Sequence, residues 1–142
     1  MDTTLFVATK AFVVYQGKVL ILRESGNYSD GSNAGKYDVV GGRVKPGERF
    51  DESLKREVKE ETGLTITIEK PIHVGEWRPV VRGEQWQIVG IFFVCQANSD
   101  QVILSEDHAG YQWIDPKEFS NYPLIDNLRP AFEAYIDYES RI

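Results

Sequence analysis

The chain is short of several things, and each shortage removes a class of protein. Cysteine occurs once, at Cys95 inside the apolar run "IVGIFFVC", so there is no disulfide framework. A lone thiol in such a run reads as a small core residue, and a reducing compartment is its simpler setting. No apolar run approaches the roughly 18 residues of a membrane-spanning helix. The start, "MDTTLFVATKAFVVYQG", opens with an acid and places Lys10 inside its apolar stretch, unlike a secretory signal. A cytoplasmic protein is expected. Basic charge is scarce too: 16 Lys and Arg stand against 22 Asp and Glu, a net charge of −6. Nucleic-acid polymers and anionic membranes need a basic face, so neither is an expected partner. A phosphorylated small molecule stays compatible, because a bound divalent cation reverses the local field. No repeat or linker divides the 142 residues, which read as one domain over 1–142; a homodimer is left open.

What is present alternates between apolar strands and a few helices. Leu5–Tyr15 and Lys18–Glu24 are β-branched and apolar, and their meeting at Gln16-Gly17 predicts a hairpin. Ser25–Lys36 is a polar loop rich in Gly, Ser and Asn, and "YDVVGG" predicts a short strand ending in a double glycine. A helix is expected from Asp51 to Thr62, closed by Gly63. "LTITIEKPIHVGEW" reads as a strand broken at Pro71. "EQWQIVGIFFVCQA" reads as a central strand covered on both faces, because its second half is apolar throughout. "YQWID" is a further short strand. Leu128–Glu139 predicts an amphipathic helix with Leu128, Ala131, Phe132, Tyr135 and Ile136 on one side and Pro130 in its first turn. This mixed order points to an α/β sandwich rather than a doubly wound parallel sheet.

One stretch resists the bland reading. "GGRVKPGERFDESLKREVKEETGL", Gly41–Leu64, packs Glu57, Glu60 and Glu61 near the C-terminal end of its helix. Acids three and four apart repel one another by a few tenths of a kcal/mol per pair, and the helix dipole disfavours them there. Neutralising Glu57 or Glu61 is therefore expected to leave the apo protein equally or slightly more stable. At 100° per residue, Phe50, Leu54 and Val58 form a narrow buried stripe, with Lys55, Lys59 and Glu52 opposite. A solubilising face would lie opposite too. Glu57 and Glu61 instead fall on or beside the stripe, and Glu60 continues the same arc. Carboxylates near a core ask for protonation, a partner or a metal. With no Cys or His alongside, oxygen ligands favour Mg²⁺ or Mn²⁺ over zinc. Gly41-Gly42 lets backbone approach a ligand, and a carbonyl there can join the shell. "KPGE" is a turn signature, and Arg56 projects beside Glu60, placed to anchor that turn through a carboxylate such as Glu48.

The same stretch resembles the Nudix hydrolase signature, G-x5-E-x7-R-E-U-x-E-E-x-G-U with U apolar. Gly42, Glu48, Arg56, Glu57, Val58, Glu60, Glu61, Gly63 and Leu64 each satisfy it. The resemblance implies a Nudix-like α/β/α sandwich with a mixed β-sheet. It also implies hydrolysis of a nucleoside diphosphate linked to another moiety, with Mg²⁺ or Mn²⁺. Carried over residue by residue, Glu57, Glu60 and Glu61 become metal ligands with the Gly41 carbonyl, while Gly42, Glu48 and Arg56 shape the loop. The general base varies in the family; Glu57, Glu60 and a loop acid, Glu106 in "LSEDHAGYQWID", are candidates here. For the rest of the substrate, Trp77, Trp86 and Tyr28 offer flat rings, and Arg78 and Arg82 offer cations. Pro79 resembles a proline that some ADP-ribose-cleaving members carry. The expected substrate is a (deoxy)nucleoside triphosphate. The alternatives are ADP-ribose or a sugar nucleotide, and a non-catalytic nucleotide-sensing module.

Overall fold

Two long apolar strands set the frame of the computed structural model, which describes residues 2–25 and 35–142. Strand β1 (Thr3–Tyr15) runs parallel to β7 (Glu84–Ala97), in register from Thr3↔Gln85 to Val14↔Gln96. Strand β5 (Ile66–Trp77) pairs antiparallel with the other edge of β7. The free side of β1 is divided. Its end forms the expected hairpin with β2 (Lys18–Glu24), while Ala8–Ala11 pairs with β4 (Val40–Arg43). Strand β2 also pairs with β3 (Tyr37–Asp38) and β8 (His108–Ile114), and the short β6 (Val80–Val81) folds back on β7. The result is one mixed sheet, ordered β3-β2-β1-β7-β5 with the remaining strands off that path.

Alternation along β1 and β7 produces two cores. Phe12, Val14, Phe92 and Val94 face helix α2 (Leu128–Glu139), whose Leu128, Ala131, Phe132 and Tyr135 cover them. Ala11, Val13, Phe93 and Cys95 face helix α1 (Phe50–Thr62), which contributes Leu54 and Val58. Strand β7 is thus covered on both sides, as its unbroken apolar run predicted. Phe12, Phe92 and Phe132 are fully buried, each stabilising the fold by about 1.5–3 kcal/mol relative to exposure. Gly63 ends α1 at φ 74°, its N–H donating to the Lys59 carbonyl.

Several expectations are corrected. Strand β5 does not break at Pro71; the residue pairs opposite Phe93, with register shifts on either side. An edge strand tolerates the missing N–H because only one of its sides needs a ladder. "YDVVGG" divides into β3 and β4, which pair with different partners. Phe50 is half exposed rather than buried, stacking on Phe93 at 5.6 Å. As the first helical residue it has no preceding turn to cover it. A 3₁₀ segment over Pro116–Asn121 was not anticipated. Asp115 caps it by accepting from the Lys117 N–H at 3.0 Å, and Phe119 stacks on Phe132.

Candidate active site

The approach of β4 to β1 makes the floor of a cleft. A Cβ on Gly41, at φ 140°, would stand 2.2 Å from the Thr9 carbonyl oxygen, so only glycine fits. A Cβ on Gly42 would stand 3.0 Å from Glu57 Oε1, so this glycine lets the Glu57 carboxylate lie against backbone. The cleft above holds about 1200 Å³, and Lys10, Gly41, Gly42, Glu48, Glu57 and Glu61 are among its lining residues.

Arg56 organises the near wall. Its guanidinium donates to both Glu48 oxygens, Nε to Oε2 at 2.8 Å and Nη2 to Oε1 at 3.1 Å. It also reaches Glu60 at 2.9 Å and Glu57 at 3.4 Å. This fork holds the Glu48 carboxyl down at about 2, aided by the Lys45 N–H. The turn after β4 is thereby tied to the helix, as the position of Arg56 on the wheel predicted.

The acids of α1 do not share one environment. Glu57 is largely enclosed, and its carboxyl is held above the ordinary range, first by burial and then by Glu61 and Glu60, against the opposing pull of Arg56. Burial also acts to raise Glu61, but its contacts outweigh that and leave it lowered. Ser105 Oγ donates to Glu61 Oε2 at 2.7 Å, and His108 Nδ1 stands 2.7 Å from the same oxygen, close rather than well aligned. The charge of Lys10 favours the ionised form of both acids.

The remaining expected residues scatter. Glu60 turns outward, 56% exposed, onto Arg56 and is not among the cleft residues. Glu106 is exposed in a turn and is not among the cleft residues; Asp107, exposed as well, and His108 line the cleft. Trp77, Arg78 and Trp86 line it as well, but Trp77 is partly core, its ring over Gly90 and near Phe92. Arg78 is exposed and paired with Glu76 at 2.8 Å. Arg82, at φ 51° in the β6–β7 turn, lies away from the cleft. Tyr28 and most of the Ser25–Lys36 loop fall outside the described residues.

Asp38, Arg43 and Ser105 carry no sequence expectation; Lys10 reads only as a charge in an apolar stretch, and His108 only as a histidine in the loop of Glu106. Arg43 lies 4.5 Å from the centre of the Phe6 ring and 4.6 Å from that of Trp86, at the cleft's edge. Lys10 carried a usable signal, a charge in an otherwise apolar strand. Ser105 carried none, and nothing in the sequence joins His108 to Glu61, because that partner is distant along the chain.

Among the described residues, no cluster of three His, Cys, Asp or Glu side chains forms a ready metal cage. The donors still fit a hard cation. Mg²⁺ keeps several waters and is held by one or two carboxylates plus substrate phosphates. Two cleft carboxylates over exposed glycine backbone, one of them crowded by like charge, match that description.

The fold and the carboxylate-lined glycine floor together define a Nudix-type architecture, and comparison with known proteins agrees. A family model described as the NUDIX domain matches residues 5–135. The nucleoside triphosphatase NudI of Salmonella arizonae is 33% identical over 98 residues, covering 63% of this chain and 69% of that protein. The crystal structure of the MutT protein from Methanosarcina mazei shares 29% identity at a TM-score of 0.80, covering 100% of this chain and 99% of that one. An ADP-ribose pyrophosphatase from Streptococcus suis shares the fold at a TM-score of 0.65 and 14% identity, covering 91% of this chain and 85% of that one. The chain belongs to the Nudix family and is a hydrolase.

Proposed function

We propose that the chain is a Mg²⁺-dependent pyrophosphohydrolase, with Mn²⁺ as the alternative ion, that opens the diphosphate of a (deoxy)nucleoside triphosphate. The observation that carries this is the Glu57 carboxylate, laid against Gly42 at the cleft floor with Glu61 also lining the cleft. The substrate class is supported by the name of the Salmonella relative. Glu57 and Glu61, with the Gly41 carbonyl, would hold the ion; Glu60 steadies Arg56, and Arg56 steadies the Glu48 turn. When bound, such an ion neutralises phosphoryl oxygens and lowers the pKa of a neighbouring water. The chain itself must then accept that water's proton. Asp107 lines the cleft and has no ion-pair partner among the described residues, so its carboxylate is open to this role. Asp107→Asn is expected to lower kcat about 10²-fold, whereas the solvent-facing Glu106→Gln stays within about threefold. Steady-state rates showing the reverse order would return the role to Glu106.

The second reading, an ADP-ribose or sugar-nucleotide pyrophosphatase, is favoured only by Pro79, which lines the cleft. One experiment separates the two. A panel of nucleotides incubated with Mg²⁺ or Mn²⁺, products resolved by chromatography, should give monophosphate and pyrophosphate from a triphosphate. Preferred cleavage of ADP-ribose to AMP and ribose phosphate would select the second reading, and no cleavage with either ion would defeat both. A single domain is supported by the match over 5–135, and a reducing, cytoplasmic setting by the free, buried thiol of Cys95.

A further inference from the structure

Beside the acids of α1, the glycine floor of the cleft also carries a buried ion pair, Lys10 with Asp38. Lys10 sits on β1 directly opposite Gly41 of β4. Its Nζ donates to Asp38 Oδ2 at 2.8 Å, and the two side chains are only 9% and 14% exposed. The other Asp38 oxygen accepts from the Val39 N–H at 2.7 Å, so the carboxylate is held on both sides. Lys10 and Asp38 both line the cleft beside Gly41 and Gly42. An ammonium carries three donors, and Asp38 is the only hydrogen-bond acceptor of Lys10 among the described residues. Two donors are left on a cation fixed over the glycine floor. Stability is a weak reason for this arrangement, since well-packed apolar residues commonly replace a buried ion pair at no cost.

We infer that Lys10, oriented by Asp38, is a substrate-positioning residue that donates from its ammonium to a non-bridging phosphate oxygen of the diphosphate. The contact rests on the proposed pyrophosphohydrolase reading. Asp38 sets the direction of the ammonium, and the Lys10↔Gly41 register sets its depth. Glu57 and Glu61 act toward the cation partner of the substrate, and Lys10 toward the phosphate itself. A buried lysine at this place also limits the repulsion that the acidic wall would exert on an incoming polyanion.

The test uses a nucleoside α,β-methylene triphosphate, which binds without turnover, titrated by calorimetry in Mg²⁺. Lys10→Met combined with Asp38→Asn removes both charges at similar volume and leaves no orphaned ion. It is expected to fold and to bind the analogue at least tenfold more weakly. Asp38→Asn alone keeps the ammonium and, in the amide oxygen, an acceptor that still orients it, and is expected to lose no more than threefold. Equal losses in the two variants would make the pair structural, and no loss in the double variant would remove Lys10 from the phosphates; either overturns the inference. Should the double variant not fold, the side-chain ¹⁵N–¹H signal of Lys10 in the wild-type protein decides: it must shift when the analogue binds, and an unmoved signal overturns the contact. A wild-type protein that cleaves no nucleotide would defeat the proposed function, whereas a working enzyme with an indifferent Lys10 would defeat this inference alone.

Discussion

Glu57→Gln and Glu61→Gln each lower kcat/KM by about 10²-fold or more, the scale on which single preorganised electrostatic groups act, yet they move apo stability in opposite directions. Burial, with Glu61 and Glu60, raises the Glu57 carboxyl despite the pull of Arg56, so its charge opposes folding. Its folded value lies above the unfolded one. The apo protein therefore gains stability as pH falls through that range, and Glu57→Gln should be a few tenths of a kcal/mol more stable at neutral pH. Glu61 is the reverse case, and corrects the expectation from helix spacing that neutralising it would cost nothing. Its contacts with His108 and Ser105 hold its folded value below the ordinary one. The stability it supplies is present above the unfolded value and lost as pH falls through the folded one. Glu61→Gln should cost about 1 kcal/mol. Thermal unfolding of the metal-free variants at neutral pH reads this directly. Wild-type turnover in both would remove the acids from the site; a shift of both in one direction would contradict the environments described here.

Arg56→Ala should lower kcat/KM by about 10- to 100-fold, the usual penalty for losing a group that orients ligands without touching the reaction. The guanidinium joins Glu48 in the turn before α1 to Glu60 and Glu57 on the helix. Without it the turn after β4 loses its anchor and the glycine floor its near wall. Arg56→Lys should recover only part, because an ammonium cannot form the two-pronged bond to Glu48. The pair also predicts an acid dependence. Glu48 is lowered from 4.5 to about 2, so the pair's contribution is intact above 4.5 and fades toward about 2. Solvent around the pair keeps that contribution small. Unchanged kinetics in Arg56→Ala would show that the turn holds its shape unaided.

Much of this was legible because it is local. The spacing of Glu57 and Glu61 against Leu54 and Val58 places both acids beside a buried stripe in any α-helix. The bond from Arg56 to Glu48 follows from the direction in which a helical side chain leans. Glu60 shows the limit: the spacing groups it with the other acids, but Arg56 draws it outward. What stayed hidden depends on tertiary register. Lys10 meets Asp38 only because β3 and β4 are laid against β2 and β1 as they are, and His108 meets Glu61 only because the segment after β7 returns to the end of α1. Trp77 read as a stacking platform, yet the absence of a side chain at Gly90 draws its ring onto the sheet.

The Glu57–Glu61 face of α1 and the Gly41-Gly42 floor are proposed to form a divalent-cation site serving a diphosphate. Anomalous scattering from crystals grown with Mn²⁺ and the α,β-methylene triphosphate tests it most directly. The predicted result is a peak within about 2.0–2.6 Å of carboxylate oxygens of Glu57 and Glu61, with phosphate density over the glycine floor. Ordered Mn²⁺ and nucleotide bound away from both carboxylates would contradict it.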